Sequence, residues 1–229
     1  MSRPIEHHYD LLQRIHQHHR PRTYVEIGVA EGYSLGMAAP GTRVVGIDPS
    51  PALVSPLGDH VAVHELTSDE YFATRDLVAD LGGPVDLAFV DGLHHFDAVL
   101  RDVANLERHS ASASAILLHD TVPIDAASAT RERRTPVWTG DVWRAVVALR
   151  DARPDLAIAT LDVAPSGVTV ITGLDPGSDR LTGRLDELIT RHLELPFEHL
   201  EADRDEILAV VPGTWEEAGK LLPDPWAAP

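Results

Sequence analysis

The chain has 229 residues, enough for one domain with a sizeable core, and its 44% hydrophobic share is ordinary for a folded soluble protein. The formal net charge of −17 argues against a general binder of nucleic acid or anionic membranes, because phosphate groups would be repelled. Cysteine is absent, so disulfides and thiolate catalysis are excluded, which fits a cytoplasmic protein.

Met1-Ser2-Arg3-Pro4 leads into polar, His-rich sequence without the apolar centre of a signal peptide. No segment approaches the roughly 20 apolar residues of a membrane span, so a soluble protein without membrane contact is expected. Residues 5–20 predict an amphipathic helix, with Ile5, Tyr9, Leu12 and Ile15 at helical spacing. Its histidines (His7, His8, His16, His18 and His19) are read as a solvated face rather than a metal site.

Strands are predicted at 23–28, 43–48, 60–65, 85–91 and 113–119, with helical stretches between them, the clearest at 68–81 and 95–109. Alternation of this kind implies an α/β fold, a Rossmann-like doubly wound sheet that is mostly parallel with right-handed crossovers. A long polar loop at 120–140 breaks the rhythm, and a helix is expected at 141–152. Leu156–Asp162 and Gly167–Gly173, joined by Ala164-Pro165-Ser166-Gly167, form a terminal antiparallel hairpin, after which the sheet is taken to be complete. The remainder holds a helix near 179–193, an uncertain segment near 197–211 and a Pro-rich end. The expected organisation is therefore an N-terminal helical segment (1–22), the α/β domain (23–175) and a C-terminal extension (176–229).

The first strand runs into Ile27-Gly28-Val29-Ala30-Glu31-Gly32-Tyr33-Ser34. Gly28 lets the backbone turn tightly and approach a ligand, Gly32 extends that clearance, and Ser34 is placed to cap a following helix. The second strand ends at Asp48, where a carboxylate can accept hydrogen bonds from ribose hydroxyls. The spacing is not Gly-x-Gly-x-x-Gly, and Glu26 in the turn would repel a diphosphate, so a ligand carrying positive charge is favoured over NAD or FAD.

Val85-Asp86-Leu87-Ala88-Phe89-Val90-Asp91-Gly92-Leu93-His94-His95 and Ile116-Leu117-Leu118-His119-Asp120 are apolar runs that end abruptly in acid and imidazole. Ligands collect beyond the carboxyl ends of parallel strands, so Asp91, His94, His119 and Asp120 should meet at one mouth. Carboxylates and imidazoles there can hold a metal, move a proton, or do both. In the loop that follows, Arg131, Arg133 and Arg134 hint at an anionic acceptor, and Trp138 is placed to stack on a ring or sugar face.

Glu26–Ser34 and Gly46-Ile47-Asp48-Pro49 resemble the first and second motifs of the class I S-adenosylmethionine-dependent methyltransferases. The resemblance implies a cofactor site built from Glu26, Gly28, Gly32, Ser34, Asp48, Thr67, Ser68 and Asp91, with Asp48 on the ribose and Thr67 and Ser68 at the adenine end. Asp91-Gly92-Leu93-His94-His95-Phe96, then Val99 and Asp102, then Leu118-His119-Asp120, is similar to a branch of metal-dependent O-methyltransferases that tailor sugars and other natural products. The likeness spans about residues 22–173. It implies that Asp91, His119 and Asp120 ligate one divalent metal, which acts as Lewis acid and template, and that His94 is the base. His119 departs from that branch, which commonly places a carboxylate there, so Mn²⁺ or Fe²⁺ fits the donor set at least as well as Mg²⁺.

The expected activity is metal-assisted methyl transfer to a hydroxyl of a small molecule such as a sugar, glycoside or other natural product. Two alternatives stand beside it: metal-independent transfer with His94 as base, and a non-catalytic protein that keeps the fold for binding or assembly. The C-terminal extension makes a homodimer plausible.

Overall fold

A computed structural model describes residues 4–226; residues 1–3 and 227–229, the outermost parts of the two expected terminal segments, lie outside it. One eight-stranded sheet forms the centre. Its strands are β1 (Thr23–Ile27), β2 (Arg43–Ile47), β3 (Val61–His64), β4 (Val85–Val90), β5 (Ser110–His119), β6 (Ala157–Asp162), β7 (Val168–Thr172) and β8 (Val210–Pro212), in the order β3-β2-β1-β4-β5-β7-β6-β8. Only β7 runs antiparallel, pairing with β5 and β6. The mostly parallel, doubly wound sheet with its hairpin is thus as the sequence predicts. The sheet is not complete at Gly173, however: β8 adds beyond the hairpin, parallel to β6.

The helices are α1 (His8–His18), α2 (Ser68–Thr74), α3 (Leu77–Leu81), α4 (Phe96–His109), α5 (Trp143–Ala152), α6 (Leu185–Leu193), α7 (Phe197–Ala202), α8 (Arg204–Ile207) and α9 (Trp215–Leu221). The single helix expected over 68–81 is two, because Arg75 is extended and the Asp76 side chain accepts the Ala79 N–H to start a second helix. Between β1 and β2 there is only a 3-10 turn, Leu35–Met37, since Ala38-Ala39-Pro40-Gly41 offers no apolar stripe and Pro40 breaks the pattern.

Side chains alternate between the faces of the sheet, so each strand feeds two cores. Val25, Ile27, Val45, Ala88, Val90, Ile116 and Leu118 pack under α4, whose Phe96, Val99, Leu100 and Val103 follow helical spacing, and under α5 and α6. Tyr24, Val44, Leu87, Phe89, Leu117 and Val170 face the other way. Leu11, Leu12 and Ile15 of α1, Ala218 of α9, Leu222 and Trp226 cover them. The described parts of both terminal segments therefore belong to the core rather than hang from a finished domain: α1 and α9 cover the second face, and α6 packs on the first. They are also pinned by backbone: Ile5 N–H donates to Gly213 O (2.9 Å) and Trp226 N–H to His19 O (2.9 Å). His8, His16 and His19 are buried within this layer, so the solvated histidine face holds only for part of α1. Among the described residues, no helix is long and apolar enough to cross a membrane.

Candidate active site

Strand register builds the site. Ile27 pairs with Ile47 on one side and Val90 on the other, and Val90 pairs with Leu118. The residues that follow (Gly28, Asp48, Asp91 and His119) therefore leave the sheet in one row at its carboxyl edge. A cavity of about 580 Å³ opens there, within the range of small-molecule sites.

Of the residues expected at the nucleotide end, Gly28, Asp48, Thr67 and Ser68 line this cavity. Gly28 adopts φ +90°, and a Cβ at that position would collide with the Asp91 carbonyl, so the close approach of the turns that follow β1 and β4 requires glycine. Asp48 holds the turn itself, accepting the N–H groups of Val29 (2.9 Å), Ala30 (2.9 Å) and Ser50 (2.7 Å). Thr67 caps α2 in a reciprocal capping box with Glu70.

Glu26, Gly32 and Ser34 do not reach the cavity wall. Glu26 lies on the Tyr24 side of β1, fully buried, and accepts from Tyr24 Oη–H (2.6 Å) and Ser34 Oγ–H (2.7 Å). Ser34 makes no side-chain cap bond, so the expected cap is replaced by this buried contact. Burial pushes the Glu26 carboxyl up to about 8 against those two hydrogen bonds. Because the folded value is raised, its stabilising effect is complete below the ordinary value of 4.5 and is lost as pH climbs through about 8. Buried His16 has the opposite sign: held down to about 4, it favours the fold above 6.5 and weakens it as pH falls towards 4. Glu26→Gln is expected to remove the alkaline loss, up to about 1.4 kcal/mol per pH unit. Thermal melts of both proteins from pH 4 to 9 check this; a difference between them that stays constant with pH would sink it.

The chemical end comes together as predicted by strand order. Asp91, His94, His119 and Asp120 all line the cavity. Asp91 Oδ1 lies 3.0 Å from His119 Nδ1 and 3.3 Å from His94 Nε2, while Asp120 Oδ2 lies 3.1 Å from His94 Nδ1 and 3.6 Å from His119 Nδ1. Burial alone would raise the Asp91 carboxyl, but the charge of His119 and hydrogen bonds from both imidazoles hold it well below the usual range. Both imidazoles are in turn raised, since their carboxylate partners outweigh burial.

Ligand atoms of Asp91, His94 and Asp120 fall within 4.8 Å of one another, a donor set of two oxygens and one imidazole that suits a hard-to-borderline divalent ion. His119, the imidazole assigned to the metal by resemblance, turns Nδ1 to Asp91, and its buried Nε2 has no partner. His94 and Asp120 both adopt φ +57°, a left-handed backbone rare outside glycine. The surroundings hold it: Asp141 N–H donates to His94 O (3.2 Å), and Gly140 at φ +62° leaves room where a Cβ would strike that carbonyl. Ser166 donates to Asp120 Oδ1 across the β6–β7 connection.

The loop after Asp120 departs from expectation. Its arginines are committed internally: Arg131 to Asp97 (2.7 Å) and Asp141 (3.3 Å), Arg134 to Glu132 (3.1 Å) and Arg133 to Pro136 O (3.2 Å). They do not line the cavity, so the hint of an anionic acceptor loses its basis. Trp138 stacks on the His94 ring, centroids 5.1 Å apart and planes 13° from parallel, and its carbonyl lies 3.3 Å from His94 Nδ1.

Sequence reasoning missed His8. Its ring lies 4.0 Å from that of His119, and neither of its buried nitrogens has a partner. The signal was present, since His8 falls at i, i+3, i+4 and i+7 with Leu11, Leu12 and Ile15. It also missed Asp141, which accepts the Phe96 N–H (2.9 Å) at the start of α4 from 45 residues away.

The cavity lining is acidic and suits a ligand that carries positive charge. Asp48, Asp91 and Asp102 line it, and Arg101, the one Lys or Arg among its described lining residues, is paired with Asp69 and Asp97 (3.2 Å each). Residues 25–121 match the family described as a methyltransferase domain. No curated protein sequence matches the chain. Among solved structures, the chain is similar to the O-methyltransferase TomG of Streptomyces achromogenes in complex with S-adenosylmethionine, at 17% identity over 73% of this chain and 80% of that one, TM-score 0.56. The S-adenosylhomocysteine-bound methyltransferase PaMTH1 of Podospora anserina gives 21%, 73%, 78% and 0.57 for the same quantities. An O-methyltransferase from Bacillus cereus, also with S-adenosylhomocysteine, gives 16%, 72%, 80% and 0.52. Residues 25–121 thus match a methyltransferase domain, and the chain shares the Rossmann-like fold of these solved methyltransferases.

Proposed function

We propose that this chain is an S-adenosylmethionine-dependent O-methyltransferase acting on a hydroxyl of a small molecule, assisted by a divalent ion. The observation that carries the proposal is the convergence of Asp91, His94 and Asp120 in the cavity that also contains the Gly28 turn and Asp48. When bound, S-adenosylmethionine supplies the methyl group from its sulfonium, and a divalent ion such as Mg²⁺ or Mn²⁺ supplies Lewis acidity at an acceptor hydroxyl.

In this assignment Asp91 and Asp120 provide the carboxylate oxygens. His119, from the end of β5, orients Asp91, and His94, stacked on Trp138, takes the hydroxyl proton. With the loop arginines paired internally, a neutral hydroxylated acceptor such as a sugar, glycoside or other natural product fits better than an anionic one. The involvement of TomG in tomaymycin synthesis supports a natural-product setting.

A second reading, transfer without metal, is favoured by one feature: Asp120 Oδ2 lies 3.1 Å from His94 Nδ1, where a carboxylate would orient the imidazole as a base if Nε2 turned from Asp91 to the acceptor. His94→Ala separates the roles. As base, its loss is expected to cut turnover by roughly 100-fold or more while bound metal is retained. Metal content by elemental analysis and initial rates with and without EDTA check this. Full activity in EDTA would sink the metal, and loss of metal from His94→Ala would make His94 a ligand instead.

A further inference from the structure

The connection between β1 and β2 leaves a second hollow at the amino edge of the sheet, the edge opposite Gly28 and Asp91. Parallel strands are usually joined by a helix that packs on the sheet, but here only the Leu35–Met37 turn lies between them. Met37, Ala38, Ala39 and Pro40 form one wall of a cavity of about 780 Å³, and the end of α1 with the segment leading into β1 forms the other.

The chain carries 36 acidic residues against 19 Lys and Arg, yet the described lining of this hollow holds Arg20 and Arg22 and no acid. Arg22 is fixed, its backbone N–H, Nε–H and Nη2–H all donating to Asp86, at 2.8, 2.9 and 2.8 Å. Arg20 is exposed and makes no ion pair among the described residues; its Nε–H reaches only the Gln17 carbonyl, at 3.5 Å. Its terminal nitrogens are left to take an anion, and a guanidinium grips a carboxylate with two parallel hydrogen bonds. His16, one helical turn before Arg20, lines the same hollow, is 1% exposed and has no partner at either ring nitrogen. A buried polar group left unmade is costly and normally finds a partner. Burial holds this imidazole down to about 4, so near neutral pH it is uncharged, with one donor and one acceptor nitrogen.

We infer that this hollow is a second ligand site and that it takes a small organic hydroxy acid. The carboxylate meets Arg20, the apolar body lies along Met37 to Pro40, and a hydroxyl partners the His16 imidazole at the inner end. Arg22, held in place by Asp86, adds to the positive field at the rim. The acidic cavity at the carboxyl edge repels the same ligand, which keeps the two sites distinct whatever reaction the first one carries out.

Titration of the full ¹⁵N-labelled chain with 4-hydroxybenzoate, benzoate and 4-hydroxybenzyl alcohol, followed by amide NMR, tests this without turnover. Wild-type protein is expected to saturate with 4-hydroxybenzoate, with the largest shifts around Arg20 and Met37 to Thr42. The neutral alcohol should bind roughly 10-fold more weakly, and benzoate, which lacks the hydroxyl, roughly 5-fold more weakly. Arg20→Gln, an exposed change, should bring acid and alcohol to equal affinity, and His16→Phe should bring 4-hydroxybenzoate and benzoate to equal affinity. No saturation in the wild type, shifts centred on Asp91 instead, or an Arg20→Gln variant that still prefers the acid overturns the inference. Inorganic phosphate that displaces 4-hydroxybenzoate at equal concentration overturns the organic-acid class, and a hydroxyl preference that survives in His16→Phe overturns the part given to His16. Should His16→Phe fail to fold, Arg20→Gln and the wild-type comparison of the three probes carry the test, and equal binding of all three overturns it.

Discussion

Asp91→Asn is expected to lower kcat/KM by roughly 100-fold or more, because one atom of this side chain serves several purposes at once. Asp91 Oδ1 is 3.0 Å from His119 Nδ1 and 3.3 Å from His94 Nε2, and it belongs to the set of ligand atoms within 4.8 Å of each other. An asparagine amide keeps the shape but offers one neutral oxygen and an N–H₂ that would face imidazole N–H groups. It loses the charge that raises both histidines and removes one of the two carboxylates available to a cation. Gly28 still packs on the Asp91 backbone carbonyl, which the substitution leaves in place, so cofactor binding should change far less than turnover. Formation of S-adenosylhomocysteine with an acceptor that the wild type methylates, paired with calorimetry for the cofactor, checks the split. Undiminished turnover in Asp91→Asn would remove the acid from the chemistry. A loss confined to cofactor affinity would move it to the nucleotide end.

Much of this site was legible in the sequence because strands of a parallel sheet announce both themselves and their ends. Leu87–Val90 and Ala115–Leu118 are continuous apolar runs, buried on both faces, and the acids and imidazoles after them can only emerge at the carboxyl edge. Period-two alternation also carried information about Glu26 that the motif resemblance did not use. Glu26 shares a face with Tyr24, not with Val25 and Ile27, and so it points into the second layer. What was not legible depended on long-range pairing. β8 has three residues, too few for alternation to register, and its place beside β6 is set by Thr160 to Val210 pairing across 50 positions. The covering of the second face by α1 and α9 required knowing that the turn between β1 and β2 forms no helix, which leaves Phe89 and Leu117 in need of apolar partners. The loop arginines read as free charges because nothing local says that Arg131 folds back onto Asp97 and Asp141.

The scaffold under the site is expected to depend on one buried ion pair. Arg153→Met should destabilise the protein by about 3–5 kcal/mol, roughly 6–20 °C in melting temperature for a chain of this size. Arg153, at the end of α5, is fully buried and makes two hydrogen bonds to Glu107 of α4, at 2.6 and 2.8 Å, and one from Nη2 to Asp155 Oδ2 at 2.9 Å. Glu107 also accepts the Asp175 N–H (3.1 Å), so the cluster ties two helices to the segment that follows β7. Methionine fills much of the arginine volume but leaves the Glu107 carboxylate buried with a single backbone donor, and that unpaired charge is the main cost. If so, Arg153→Met with Glu107→Leu should recover most of the loss, since an apolar pair of similar volume avoids the desolvation of both ions. Urea denaturation of the two variants checks the sign. A single variant within about 1 kcal/mol of wild type, or a double variant no more stable than the single, would mean that the pair is dispensable to the fold. The cluster lies at the far end of α4 from His94, so catalytic constants of the folded single variant should stay within a few-fold of wild type.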